Sequence, residues 1–398
     1  MRKPIISGAA GRFDGIDIAR ALAITGMFIM HTFFHTYPEV EWFTVFDGRA
    51  SALFSVLAGV SVIFLTRHRG GATAVVQLVT RGVLLLLALG VALSQPAVGP
   101  IVILATYGAL YIVVAPLTFR LSGPVLAVAA AVTAVVMPVT SWLIRHHLPP
   151  APEFGYTPSW EMVRDGDWVT FLRCLLIDGL FPVMTWIPFF LAGMAVGRLL
   201  VATARVHRTA RAAGGLVVLG VVLSAATLLV SRFIVGPLGF RDHHAATAPG
   251  GAETTDALLS GAFGTVPLDS RGWLTVYVPH SGSVAELVGS TGTAVAVIGA
   301  CLLVGALPVR PLQAVLYPVR SLGRIPLTAY TAHIVAIGVL NAHDHDLSEP
   351  VYSWLNLLLP LAVASVWFLF FRRGPLEAVV SGVSRAAAAP VRAVASPA

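Results

Sequence analysis

The chain has 398 residues, of which 57% are hydrophobic and 11% are charged, and its formal net charge is +7. Its mean hydropathy of +0.83 lies far above the usual balance of a soluble domain. This composition excludes an ordinary water-soluble protein and predicts a polytopic membrane protein. The arginines are scattered between apolar segments without an aromatic-interleaved patch, so the positive charge does not indicate nucleic-acid binding.

Ten apolar segments of about twenty residues each follow one another along the sequence. Such a segment can cross a hydrocarbon core of about 30 Å as a helix, which satisfies its own backbone hydrogen bonds. We therefore predict an all-α integral membrane bundle with about ten transmembrane helices. The predicted spans are 16–35, 49–66, 74–94, 98–118, 123–144, 174–199, 213–235, 285–307, 325–342 and 352–371.

The arginines and lysines between the spans predict the orientation of the bundle. They fall on one side if residues 1–15 form a cytoplasmic N-terminal segment, and both termini are then cytoplasmic. The integral membrane domain is predicted to cover residues 16–371. Its long external loops, 145–173 and 236–284, contain proline and tryptophan and are expected to cap a cavity. Residues 372–398 are rich in alanine and proline and are predicted to be a mobile cytoplasmic tail.

The first span contains ionisable residues along one helical face. Arg20 and His31 are eleven residues apart, a spacing that returns a helix to within about 20° of its starting direction. Asp17 and His35 fall near the same line. Ionisable side chains at membrane depth are costly and usually face a protein interior or a cavity, so this face is the leading candidate site. The alternative for Arg20 is a structural ion pair with Asp17.

Asp47 and Arg49 stand where the second predicted span begins, close in sequence to the end of the first. A carboxylate beside a histidine can hold its tautomer and stabilise the imidazolium. Asp47 is therefore expected to meet His31 or His35. The alternative is that Asp47 caps the helix while Arg49 extends outward.

Two further histidines lie in or near later spans. His280 and Ser281 precede the eighth predicted span on the external side, where they are candidates for binding an acceptor, although a plain turn explains the same residues. His333 lies within the ninth span and is expected to make a hydrogen bond between helices. No paired cysteine motif or zinc motif is present, and no metal is expected.

Several stretches of the sequence carry a specific resemblance. The sequences GIDIARALAITGMFIMH (15–31) and FDGRASALFSVLAGVS (46–61) resemble the start of bacterial membrane proteins related to heparan-alpha-glucosaminide N-acetyltransferase. The spacing from Arg20 to His31 is also similar to the motif of acyltransferase family 3. Later stretches that strengthen the resemblance are LFPVMTWIPFFLAGMAVGRL (180–199), PHSGSVAELVGSTGTA (279–294) and LGRIPLTAYTAHIV (322–335).

The resemblance implies a membrane acyltransferase in a bacterial plasma membrane. The donor would be cytoplasmic acyl-CoA, with acetyl-CoA the expected species, and the acceptor an envelope sugar, glycolipid or lipid. An imidazole suits the removal of a proton from the acceptor, and a guanidinium suits phosphate recognition. The candidate residues are His31, His35 and Asp47 for catalysis, Arg20 and Arg49 for donor binding, and His280 and Ser281 for acceptor binding. Direct transfer and a covalent acyl-histidine both remain open.

Two other classes of function fit parts of the pattern. Buried arginine and histidine also mark the substrate paths of transporters and lipid flippases, although we find no paired Gly or Pro interruptions in two corresponding halves. A noncatalytic scaffold for envelope assembly would tolerate the loss of His31, whereas an enzyme that uses this histidine would not.

Overall fold

A computed structural model describes residues 12–37, 40–94, 100–151, 156–343 and 347–391, with the side chain of His35 outside the described part. The chain is built from helices that run back and forth in a bundle. The first eight helices are α1 (Asp14–Phe33), α2 (Arg49–Thr66), α3 (Gly71–Ser94), α4 (Leu104–Thr118), α5 (Gly123–Arg145), α6 (Trp160–Arg164), α7 (Trp168–Arg173) and α8 (Val183–Arg205). They are followed by α9 (Thr209–Val235), α10 (Phe240–Thr247), α11 (Gly251–Ser260), α12 (Val284–Gly305), α13 (Arg310–Arg324), α14 (Pro326–Ala342), α15 (Glu349–Phe370) and α16 (Pro375–Ala387).

The prediction of a polytopic helical bundle is confirmed. The described residues contain eight helices that are long and apolar enough to cross a membrane. The pair α13 and α14 adds a ninth span if it is taken as one unit, although it is bent by 77°. The segment predicted at 98–118 forms the short apolar helix α4, which at about 1.5 Å per residue is shorter than a full hydrocarbon core.

In the part of the chain that the structure describes, four π-helical segments interrupt the regular helices. They comprise Ile29–Phe33 in α1, Leu84–Val91 in α3, Leu110–Val114 in α4 and Cys174–Asp178 after α7. A π turn inserts a residue into the helical repeat and is frequent at functional sites. In α1 the π turn contains His31, so the predicted face from Arg20 to His31 ends in a wider helical turn.

The helices α1 and α2 lie at the centre of the bundle, while α9 and α15 lie at its periphery. Small residues allow the central helices to approach closely. Gly193 on α8 stands directly against the carbonyl of Val56 on α2, and Gly59 stands against the carbonyl of Phe190. A Cβ atom at either glycine would collide with backbone, so this crossing depends on residues without a side chain.

The predicted external loop 236–284 is folded. Within it, α10 and α11 pack together, and Trp273 anchors a small apolar core that also contains Val276 and Trp142 of α5. His244 is buried and lies 2.9 Å from the Thr255 hydroxyl and 2.8 Å from the Asp269 carboxylate. These contacts fix the loop as a cap on one end of the bundle.

The predicted mobile tail at 372–398 instead contains α16, which packs against α3 and α14. Glu377 accounts for this docking, because its carboxylate accepts hydrogen bonds from the backbone N–H groups of Leu327 and Thr328 and from the Thr328 hydroxyl. These N–H groups belong to the first turn of α14, where a carboxylate is favoured. Residues 392–398 lie outside the described part of the chain.

Candidate functional site

A cavity of about 370 Å³ opens between α1, α2, α3, α4, α14 and α16. We call it the arginine cavity, because six of its lining residues are arginines. They are Arg12, Arg20, Arg81, Arg324, Arg372 and Arg373. Glu377 also lines the cavity, but its carboxylate already accepts a hydrogen bond from the backbone at the start of α14. The cavity therefore carries a large excess of positive charge.

Arg20 projects from α1 into this cavity. Its guanidinium lies 3.2 Å from a carboxylate oxygen of Asp17 and donates a 2.7 Å hydrogen bond to the Ser61 hydroxyl on α2. Asp17 is also bound by Arg12 at 2.6 Å. The ion pair offered as the alternative for Arg20 is thus present, and Arg20 lines the cavity as well. One carboxylate shared by two guanidinium groups leaves the local charge positive.

Two of the arginines hold unsatisfied donors. The Nε atoms of Arg81 and Arg324 are buried and have no hydrogen-bond partner. The Arg324 guanidinium also lies 3.5 Å from the centre of the Phe368 ring. A buried donor without an acceptor is costly, and an anion in the cavity would satisfy both. These residues fit a ligand that carries phosphate groups.

At the opposite end of the bundle, His280 and Asp47 form a pair that we call the external dyad. His280 Nε2 lies 3.2 Å from Asp47 Oδ1, and the two side chains are only 22% and 27% exposed. Asp47 immediately precedes α2, and His280 lies in the turn before α12, so the dyad joins two distant parts of the chain. If Nε2 donates to the carboxylate, Nδ1 of the imidazole is the nitrogen that can accept a proton.

The environment of the dyad favours the protonated form of the His280 imidazole. Burial lowers the pKa of His280, but the hydrogen bond to Asp47 and the charges of Asp47 and Glu286 outweigh it, so the pKa is raised above its ordinary value. The backbone of His280 has a positive φ of 58°. Such a conformation is uncommon for residues other than glycine and is often found at functional sites.

Glu286 completes the cluster from the first turn of α12. Its side chain is buried and accepts a 2.8 Å hydrogen bond from the backbone N–H of Gly282. The Ser283 hydroxyl caps the same helix by accepting from the Glu286 N–H at 3.0 Å. His280, Gly282 and Glu286 together line a small pocket with room for about one water.

Ser281 contributes to this turn through its hydroxyl. The hydroxyl is buried and accepts a hydrogen bond from the Ser283 N–H at 3.2 Å. Among the described residues, Ser281 does not line the pocket beside His280. The observed contacts of Ser281 are therefore those of a turn residue.

A run of aromatic rings separates the arginine cavity from the external dyad. Tyr107 lines the cavity and lies 6.2 Å, centre to centre, from Trp186, which lines the pocket of His280. Trp186 lies 5.5 Å from Phe181, and Phe181 lies 5.9 Å from His280. We call Tyr107, Trp186 and Phe181 the aromatic partition. Its rings form a continuous series of contacts from the arginine cavity to His280.

His31 makes a different contact from the one expected. Its Nδ1 lies 3.1 Å from Nε2 of His333 on α14, and Phe28 stacks on the other side of His333 at 3.8 Å. The hydrogen bond between helices predicted for His333 is therefore present. Asp47 contacts His280 rather than His31, because the His31 imidazole is paired with His333 on α14.

The remaining predicted residues fall in different places. Arg49 lies at the end of the bundle away from the arginine cavity, where it donates to the carbonyl of Val45 at 3.2 Å and lies over the Tyr277 ring. Arg49 therefore does not join Arg20 in one donor site. The side chain of His35 lies outside the described part of the structure. The helix-capping alternative for Asp47 is not observed, since Asp47 makes no side-chain cap to α2.

Glu286 and Arg81 were not among the site residues predicted from the sequence. Glu286 follows Ser283 by three residues, which is the spacing of a helix capping box, and this pattern could have located it. Arg81 lies within the predicted span 74–94, where a charged residue is itself a functional signal.

Comparison with known proteins identifies the family. A family profile described as heparan-alpha-glucosaminide N-acetyltransferase, catalytic, matches residues 12–233. This range covers more than half of the chain and includes Arg20, Arg81 and Asp47, while His280 lies beyond it. A search of curated proteins finds no match. The multi-pass membrane protein described above belongs to the heparan-alpha-glucosaminide N-acetyltransferase catalytic family, whose members resemble membrane acetyltransferases.

Proposed function

We propose that this protein is a bacterial plasma-membrane acyltransferase that moves an acetyl group from acetyl-CoA to an acceptor in the cell envelope. The arginine cavity would bind the donor from the cytoplasm, and the external dyad would activate the acceptor. The observation that carries the proposal is the placement of these two sites at opposite ends of one bundle, with the aromatic partition between them. Both termini are cytoplasmic in this orientation.

The arginine cavity suits the donor because coenzyme A carries several phosphate groups. Arg81 and Arg324 each offer a buried Nε donor that lacks an acceptor, and Arg20 offers a third guanidinium held in position by Ser61. Phosphate binds guanidinium through paired hydrogen bonds. The thioester end of the donor would then extend past Tyr107 toward the external dyad.

The external dyad suits the acceptor step. His280 Nδ1 removes the proton from an acceptor hydroxyl or amine while the oxygen or nitrogen attacks the thioester carbonyl. The new bond to the carbonyl carbon forms, the carbon–sulfur bond breaks, and the thiolate leaves with the proton returned from His280. Asp47 holds the imidazole in the required tautomer and stabilises its protonated state. Glu286 acts as a positioning residue that orders the turn carrying His280.

Label transfer tests this function directly. Purified protein in nanodiscs is incubated with acetyl-CoA labelled in the acetyl group and with an extract of bacterial envelope. Wild-type protein is expected to transfer label, and His280→Asn to lose about 10²-fold to 10⁴-fold of the rate, which is the usual contribution of a general base. Asparagine tolerates the positive φ of this position, so the backbone of the variant is preserved. The helical content and the donor affinity of the variant serve as controls.

Two outcomes would contradict the proposal. Full transfer by His280→Asn would remove the external dyad from the reaction. Failure of the wild-type protein to bind acetyl-CoA, together with substrate-dependent flux in sealed vesicles, would instead support the transporter alternative.

A further inference from the structure

A long apolar groove runs along the outside of the bundle, with a volume of about 640 Å³. We call it the lateral groove. Its walls come from α5 and α9, and its floor comes from α8 and α12. On α8 it extends from Pro188 to Ala202, which corresponds to about 21 Å along the helix axis. Almost all of its lining is hydrocarbon, and Arg198 at its arginine-rich end is the one charged lining residue among the described part of the chain.

The lateral groove faces the region where the bilayer lies. The helices that flank it belong to the less buried part of the bundle, and their outer residues include Val128, 64% exposed, and Leu219, 52% exposed. Ala127 and Ala131 line the groove and are themselves exposed. Alanine at these positions leaves space where a larger apolar side chain would have covered the surface.

The groove ends beside the external dyad. Leu287, on the first turns of α12, lines both the lateral groove and the small pocket of His280 and Glu286. It is 1% exposed and forms the wall between the two spaces. On α8, Pro188 lines the groove and Phe189 lines the pocket. A single layer of side chains therefore separates a bilayer-facing apolar channel from the proposed base.

We infer that the acceptor is carried by a lipid, whose hydrocarbon chain lies in the lateral groove while its hydroxyl or amine head group reaches His280 past Leu287. This inference rests on the proposed function, since it assigns the acceptor of that reaction. Hydrocarbon gains nothing by moving from bilayer to an apolar wall, so the groove guides the chain by shape, and the specific contact is made by the head group. A water-soluble glycan would make no use of the groove.

A second groove supplies a comparison within the same chain. It lies between α14 and α15, has a volume of about 300 Å³, and is also lined mainly by apolar residues such as Ala336 and Leu359. It shares no lining residue with the pocket of His280. If apolar grooves merely hold bilayer lipid, a lipid-like probe should label the two grooves equally. If the lateral groove binds the acceptor chain, only substitutions in the lateral groove should reduce labelling and acetyl transfer.

Photolabelling distinguishes these outcomes. Protein in nanodiscs is exposed to a long-chain fatty alcohol that carries a diazirine in its chain, and the labelled peptides are identified. We expect preferential labelling of α5 and α12, reduced about tenfold by Ala131→Trp, which fills the lateral groove from an exposed position. The matched control Ala336→Trp fills the second groove and is expected to leave this labelling unchanged.

Acetyl transfer to the same alcohol gives an independent readout. Ala131→Trp is expected to lower transfer to the alcohol about tenfold while Ala336→Trp does not, with donor binding unchanged in both. Equal labelling of the two grooves, or labelling and transfer that are indifferent to Ala131→Trp, would overturn the inference. Selective labelling without any transfer would leave the lipid site in place and would contradict the proposed function instead.

Discussion

Two histidine pairs lie within this bundle, and their partners differ. His280 faces the carboxylate of Asp47 in the external dyad, whereas His31 faces a second imidazole, that of His333, between α1 and α14. A carboxylate stabilises a protonated imidazole, while a second imidazole that gained a proton would repel it. The comparison shows that the residue across from a histidine, rather than the depth of the histidine in a helix, decides whether it suits proton transfer.

The surroundings of the two pairs differ in the same direction. His280 lines a pocket together with Glu286 and contacts the aromatic partition through Phe181. His333 is stacked against Phe28 on α1, and its ring fills the space between helices. The pocket of the first pair contains the Glu286 carboxylate, whereas His333 of the second pair lines the mainly apolar groove between α14 and α15. Under the proposed function, the chemistry belongs to the first pair and helix packing to the second.

After His280→Asn, the largest effect expected in the comparison is that of Asp47→Asn. This change removes the carboxylate that orients His280, and we expect kcat to fall roughly tenfold to a hundredfold, which corresponds to about 1.4 to 2.7 kcal/mol. The charge of Asp47 is also a cause of the raised pKa of His280. Because the base must be neutral, activity rises as pH increases through this pKa. The acidic limb of the pH profile should therefore move to lower pH in the variant.

The pH profile distinguishes a lost interaction between Asp47 and His280 from a general loss of folded protein. A variant that was only less well folded would lose activity without moving the acidic limb. The measurement is the rate of acetyl transfer by equal amounts of folded protein from about pH 5 to 9, a range that brackets the ordinary titration of histidine. An unmoved acidic limb would show that His280 is not the titrating group.

A smaller effect is expected at the donor end from Arg81→Gln. The Arg81 guanidinium has a buried Nε without an acceptor, and its loss removes one charge-assisted hydrogen bond to the donor. We expect the KM for acetyl-CoA to rise about tenfold, equivalent to about 1.4 kcal/mol, with kcat little changed. Arg241→Gln is the control, because Arg241 forms an exposed ion pair with Asp256 in the cap. Equal KM values for both variants and wild type would remove Arg81 from the donor site.

The sequence was sufficient to predict the helices and the arginine end of the candidate site. Long apolar runs predict spans because the bilayer requires them, and an arginine within such a run predicts a buried charge, as Arg20 demonstrates. The partner of Asp47 could not be found in this way. His280 lies 233 positions later in the sequence, and only the packing of the turn before α12 against the start of α2 brings the two side chains together.

Local irregularity explains the other differences. The face predicted to carry Arg20 and His31 assumed a regular helix, whereas His31 lies within the π turn Ile29–Phe33. The tail prediction relied on composition, and α16 is ordered because Glu377 binds the N–H groups at the start of α14. A π turn leaves little signature in the sequence, and a docking contact between segments depends on their positions in the fold.

The smallest effect is expected from His31→Gln, and it tests the assignment of roles most directly. Glutamine retains hydrogen-bonding groups near His333, and a hydrogen bond between membrane helices contributes about 0.6 kcal/mol on average. We therefore expect acetyl transfer to remain within about twofold of wild type and thermal stability to fall slightly. Transfer and melting temperature are measured on the same nanodisc preparation, with His280→Asn beside it. If His31→Gln abolished transfer while the protein stayed folded and His280→Asn remained active, the base would belong to the pair between α1 and α14, and the carboxylate of Asp47 would have no part in the reaction.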